Sequence, residues 1–253
     1  MPTEVLNGFE IGYEVSGAGP AVLFTHGYQA SAAMWDAQRA GLDDAYRVIT
    51  WDIRGHGASG IDDDPSRYSQ ELMLGDMLAL LDRLDIDRAV LVGHSLGGFA
   101  SLRFLLAHPE RVRGLVLFGS GPGFRDPEAR GKWNEMADRF AGGVEAKGLE
   151  ILQRAGREVS EAKHRSATAL AHAARGILKQ HDSRVMDALG EISVPTLVIV
   201  GTEDKQFIGS SEYMAKKIPG AELAWVEGAA HAANMEEPQA FNQALRAFLD
   251  DLK

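Results

Sequence analysis

Ser95 stands in Gly93-His94-Ser95-Leu96-Gly97-Gly98, a serine with glycine at both second neighbours. A serine hydroxyl is a weak nucleophile until a base takes its proton, and the base needs a group to orient it. The chemistry open to such a set is attack on an acyl carbon. An apolar run, Arg88-Ala89-Val90-Leu91-Val92, precedes the motif and reads as a buried strand; Phe99 to Ala107 has the apolar density of a buried helix. Ser95 is therefore expected on a sharp strand-to-helix turn, a nucleophile elbow. Gly93 and Gly97 give that turn room, and the helix that follows points its N–H groups at developing negative charge. The five-residue pattern alone also fits an incidental glycine-rich turn; the flanking strand and helix favour catalysis.

The partners must come from elsewhere in the chain. The apolar run Pro195–Val200 leads into Gly201-Thr202-Glu203-Asp204-Lys205, and a weaker strand at Ala221–Val226 leads into Glu227-Gly228-Ala229-Ala230-His231. Loops at the C-terminal ends of parallel strands gather at one edge of a sheet. His231 is the candidate base and Asp204 the candidate acid, in the order nucleophile, acid, histidine expected of this sheet type. Glu203 and Asp126 are rivals for the acid, but Asp126 precedes Pro127 and fits a helix N-cap more simply. The oxyanion formed on attack needs two backbone donors. These are assigned to the N–H groups of Leu96 and of Tyr28, the latter in the loop after the strand Ala21–Thr25. The Tyr28 side chain lines the pocket or simply packs.

The elements that must position these residues form a repeating pattern. Strand-like runs occur at 10–15, 21–25, 46–51, 88–92, 112–118, 195–200 and 221–226, with helical patterns between them. Ser31 is placed to cap a helix through Ala32 to Trp35; Leu72, Met73, Met77, Leu80, Leu81 and Leu84 share helical spacing, as do Phe241, Leu245, Phe248 and Leu252. This predicts an α/β fold with a mostly parallel sheet covered on both faces. One stretch, 125–188, lacks any strand-like run and is expected to be an all-helical insertion over the end of the sheet. It divides the core into 1–124 and 189–253. Trp133, Met136 and Phe140 share one helical stripe there and are the candidate pocket-lining residues.

Composition narrows the function. The chain has 253 residues, a formal net charge of −10 and no cysteine. The acidic balance argues against nucleic acid and against an anionic membrane surface. Disulfides, thiolate chemistry and cysteine metal sites are excluded. No apolar run reaches membrane-spanning length and the first residues lack a signal-peptide pattern, so a cytoplasmic location is expected. His26 and His56 read as structural hydrogen-bonders, His164, His172 and His181 as solvated, and Arg54 as a loop-stabilising cation. No cluster has metal-site spacing, so neither metal nor cofactor is expected. A homodimer is left open.

The pieces His26-Gly27, Asp52-x-Arg54-Gly55-x-Gly57-x-Ser59, Gly93 to Gly98, Gly201-x-x-Asp204 and His231 followed by Glu237-Pro238 together resemble the α/β-hydrolase family. The resemblance covers nearly the whole chain outside the insertion. It implies an eight-stranded, mostly parallel sheet with a small helical cap after the sixth strand, and it supports Asp204 as the acid. A serine at the elbow sets the chain apart from the family's epoxide hydrolases and haloalkane dehalogenases, which use aspartate. Capped members of this size resemble carboxylesterases, enol-lactonases, cofactor-free perhydrolases and carbon–carbon bond hydrolases. The last usually carry Asn and Met around the serine, where this chain has His94 and Leu96. The expected substrate is a small carboxylic ester or lactone, cleaved through an acyl-enzyme. Cleavage of a diketone-like carbon–carbon bond, a cofactor-free perhydrolase and a ligand receptor with a vestigial triad are the alternatives.

Overall fold

The computed structural model describes residues 1–252. Eight strands form one sheet in the order β1-β2-β4-β3-β5-β6-β7-β8. They are β1 (Thr3–Leu6), β2 (Phe9–Ser16), β3 (Ala21–Thr25), β4 (Arg47–Trp51), β5 (Ala89–His94), β6 (Val112–Phe118), β7 (Thr196–Gly201) and β8 (Glu222–Val226). β1 and β2 run antiparallel to their neighbours; from β4 to β8 every pairing is parallel. β1 escapes the sequence reading because it is a short, mostly exposed edge strand.

The helices are α1 (Asp36–Leu42), α2 (Gln70–Arg83), α3 (Leu96–Ala107), α4 (Pro127–Lys147), α5 (Arg157–Ser160), α6 (Ala167–Ala173), α7 (Arg184–Ala188), α8 (Ile208–Lys217), α9 (Ala233–Glu236) and α10 (Pro238–Asp251). The continuous apolar strands bury both faces, and their side chains divide by alternation. Leu23, Leu91, Leu115, Leu117 and Val198 join a cluster with α2, α3 and Met214 of α8. Val22, Phe24, Val90, Val92, Val116, Phe118, Leu197 and Ile199 face the other way, onto Trp35, Leu42, Phe241, Leu245 and Phe248. A third cluster, Ala141, Val144, Leu152, Val159, Leu170, Ala171 and Ala174, lies within the helical stretch between β6 and β7.

Two caps illustrate local and distant control. Asp126 caps α4, accepting from the Glu128 and Ala129 N–H groups at 3.1 and 3.3 Å, with Pro127 at the first helical position. Ser31 precedes a short 3₁₀ turn (Ala32–Trp35), but its side chain makes no cap bond. Asp52, twenty-one positions on, accepts the Ala32 N–H at 2.7 Å instead. Its other oxygen takes the Ala58 N–H at 2.8 Å, so one buried carboxylate ties two loops at the sheet edge. Arg54 is fully buried and bidentate to Asp76, at 2.5 and 2.7 Å, a loop-stabilising cation as expected. Among the described residues no helix is long and apolar enough to cross a membrane.

Candidate active site

Parallel register brings the C-terminal strand ends level: Thr25 pairs with Gly93, and Gly93 with Leu117. Ser95 follows β5 with φ 51° and ψ −113°, a conformation that costs energy for any residue with a side chain. The fold holds it there from several sides. The Ser95 N–H donates to the Phe118 carbonyl at 2.9 Å. The Ser95 carbonyl accepts from the Gly98 and Phe99 N–H groups at 3.1 and 3.2 Å and from Ser120 Oγ at 2.7 Å. A Cβ at Gly93 would lie 2.2 Å from the Gly97 carbonyl oxygen, and one at Gly97 2.1 Å from that of Thr25, so both glycines are required. From Ala89 to Leu105 every residue is buried except Ser95. The chain thus presents one hydroxyl at the end of a packed strand and helix.

His231, in the loop after β8, bonds through Nδ1 to Asp204 Oδ2 at 2.8 Å. Asp204, after β7, is buried, while His231 is 28% exposed at its side chain. A carboxylate only accepts, so Nδ1 carries a proton, and in the neutral ring Nε2 is the nitrogen with the lone pair. Gly119 lies against this pair with φ 50°; a Cβ there would come within 3.2 Å of His231 Nδ1 and 3.3 Å of Asp204 Oδ2. Phe207 stacks on the His231 ring at 4.8 Å and 18°, and His94 packs on it at 4.4 Å. Burial holds the His94 imidazole well below its ordinary titration range, so it is neutral. Glu203, the adjacent rival, is exposed, and Asp126 is taken up in capping α4.

Leu96 is the first residue of α3, so its N–H has no carbonyl partner within the helix and sits at the positive end of the helix dipole. The loop after β3 lies close by: a Cβ at Gly27 would be 3.1 Å from Ser95 Cβ. His26, fully buried, fastens that loop, donating from Nδ1 to the Gly27 carbonyl at 2.7 Å and accepting the Ile53 N–H at Nε2 at 3.0 Å. His164 reaches in from beyond α5 and bridges the Gln29 carbonyl at 2.7 Å and the Gly57 N–H at 3.1 Å. It is therefore half-buried rather than solvated, as is His172, whose ring packs on Tyr68; His181 is exposed.

Ser95 and Leu96 open into a cavity of about 450 Å³, within the size range of small-molecule sites. Its apolar walls are Phe99, Trp133, Met136, Leu178 and Phe207, its polar groups Ser120, Gln180, Gln206 and Ser210, and Lys132 and Arg139 also line it. Trp133 and Met136 are among the residues at its wall. Phe140 and the Tyr28 side chain do not. Phe140 is 40% exposed because one further turn of α4 carries it past the cavity. The Tyr28 hydroxyl donates to the Leu170 carbonyl at 3.0 Å, and its ring packs beside Phe140 and His56, joining the loop to α6. Phe207, Gly119 and Gln180 escape the sequence reading, since nothing local distinguishes them from ordinary loop residues. Among the described residues no group of three or more His, Asp or Glu side chains is arranged to hold a metal.

Residues 22–244 match the profile of the alpha/beta hydrolase family. The chain belongs to that family. Among curated relatives of this hydrolase is 3-oxoadipate enol-lactonase 2 of Acinetobacter baylyi, 29% identical, with 91% of this chain and 88% of that one covered. The thermophilic esterase from Thermogutta terrifontis, solved with malate bound, is 28% identical with a TM-score of 0.84, covering 99% and 98%. The enol-lactonase from Burkholderia xenovorans is 25% identical with a TM-score of 0.81, covering 98% and 100%.

Proposed function

We propose that this hydrolase cleaves small carboxylic esters or lactones through an acyl-enzyme on Ser95, with His231 as base and Asp204 as its orienting acid. The observation that carries the reading is the His231–Asp204 bond of 2.8 Å beside the strained Ser95 elbow. His231 Nε2 takes the Ser95 proton as Oγ attacks the carbonyl, and returns it to the leaving alcohol. Asp204 fixes the tautomer and stabilises the imidazolium that forms. The N–H groups of Leu96 and Tyr28 receive the oxyanion, in a site whose backbone is already fixed. Water then attacks the acyl-enzyme, with His231 again the base. Lactones suit the same steps, the leaving alcohol staying tethered to the acyl group.

Residues 125–188 act as a cap in this reading, with the core formed by 1–124 and 189–253. Trp133 and Met136 on α4 reach the cavity, and the third apolar cluster gives the cap a core of its own. The esterase and enol-lactonase named above support ester or lactone cleavage. The test is turnover of p-nitrophenyl esters of rising acyl length and of simple lactones, with fluorophosphonate labelling mapped by peptide mass. Sustained turnover and a label on Ser95 are expected. A single slow turnover with retained ligand would instead indicate a receptor.

A further inference from the structure

Gln180 has a position that ester cleavage as proposed leaves unused. Its side chain is 6% exposed, it lines the cavity shared with Ser95, and its Oε1 has no protein partner. Buried polar atoms in native proteins are satisfied nearly always, so an unpartnered one in a residue that lines a cavity calls for a partner.

The surrounding structure fixes the backbone that carries this carboxamide. Four consecutive carbonyls, 177 to 180, are each taken by a side chain. Gln70 on α2 donates to Ile177 and Lys179 at 3.1 and 2.5 Å, Trp133 Nε1 to Leu178 at 3.0 Å, and Asn134 Nδ2 to Gln180 at 2.9 Å. Asn134 Oδ1 also accepts the Gln180 N–H at 2.8 Å. Opposite, Gly123 has φ 85°, and a Cβ there would lie 2.6 Å from Gln180 Oε1. The glycine leaves room for the carboxamide and no more. A polar side chain carried on a backbone held this firmly, with its amide oxygen against Gly123, has little freedom left to lose on recognition.

We propose that Gln180 is a specificity-determining residue that selects substrates carrying a hydrogen-bond donor, a hydroxyl or amide N–H, a few atoms from the scissile carbonyl. Calling these ligands substrates rests on the ester-cleavage reading above, but binding them does not need turnover. A site built to bond a donor rejects an alkyl isostere far more strongly than an apolar pocket discriminates a methylene.

The test uses full-length protein carrying Ser95→Ala, so that binding is read without hydrolysis. Four pairs of esters are titrated by calorimetry. Each pair matches a hydroxyl-bearing or amide-bearing ester with its alkyl isostere, the donor being on the acyl side in two pairs and the alcohol side in two. At least one pair should favour the donor by about tenfold or more. Adding Gln180→Leu or Gln180→Met should bring that ratio within about twofold of unity, with melting temperature held as the folding control. No preference in any pair, or a preference that survives both substitutions, overturns the proposal. The same esters are then given to the chain with Ser95 intact. A Gln180-dependent binding preference without turnover would sink the hydrolase reading and leave the Gln180 assignment standing.

Discussion

His94 donates from Nε2 to the backbone carbonyl of His231 at 3.1 Å, while the two rings pack at 4.4 Å. The residue beside the candidate nucleophile therefore holds the loop of the candidate base. Burial keeps the His94 imidazole neutral, so this bond selects the tautomer with Nε2–H.

This relationship predicts a graded response. His94→Leu removes the donor and lets the His231 loop drift, and kcat should fall about tenfold with KM little changed, since misplacement of a catalytic group acts mainly on the transition state. His94→Gln keeps a donor near the same position and should recover most of that loss. Equal rates for Leu and wild type would remove His94 from any positioning role.

On the proposed mechanism Asp204 and Glu203 should behave very differently despite adjacency. Asp204→Asn presents the wrong hydrogen-bonding group to Nδ1 and should lower acylation by roughly 10⁴-fold, leaving substrate affinity nearly unchanged. Glu203 is exposed, and Glu203→Gln should stay within about twofold of wild type by the usual mildness of surface changes. Pre-steady-state acylation rates decide; a crippling Glu203→Gln would move the acid by one position.

Glycines separate by what a methyl would meet. Gly97→Ala drives a Cβ into the Thr25 carbonyl, 2.1 Å away, and should cost about 3 kcal/mol or more through overpacking and backbone shift. Gly142 lies inside α4 with nothing within 4 Å of its would-be Cβ, so Gly142→Ala should add about 0.5–1 kcal/mol. Urea denaturation of the two variants should move in opposite directions; loss of stability in Gly142→Ala would contradict the packing described.

Acid should weaken the fold through its buried histidines. Burial lowers His26 to about 4 from 6.5 and holds His56 and His94 well below that ordinary value. The unfolded chain binds these protons more readily, so their contribution is complete above pH 6.5 and is lost as pH falls toward about 4. For His26 alone the loss approaches roughly 3 kcal/mol at 1.4 kcal/mol per pH unit. Asp52 and Asp76, raised by burial, oppose the trend near the carboxylate range. Unfolding free energy measured from pH 7 to 5 should therefore decline steadily, and a flat profile would refute neutral burial of these rings.

Periodicity and turn residues set most of the framework. Continuous apolar runs make strands buried on both faces, and glycines at second neighbours permit the Ser95 turn; both are local constraints that a sequence carries directly. Ser95, Asp204 and His231 could be picked out because each follows its own strand, and strand order alone brings such loops to one edge. Asp126 was legible as a cap for the same reason: its partners are its next neighbours. The rest depends on contacts between residues far apart in the chain. Asp52 replaces Ser31 as the partner of Ala32, His164 crosses from the helical stretch between β6 and β7 to grip Gln29, and Phe140 turns away from the cavity that Trp133 lines. Gly119 and Gln180 have no local mark at all. Each acquires its constraint from side chains that only the folded chain brings against it, because packing and hydrogen-bond partners are set by distance in space rather than by spacing in sequence.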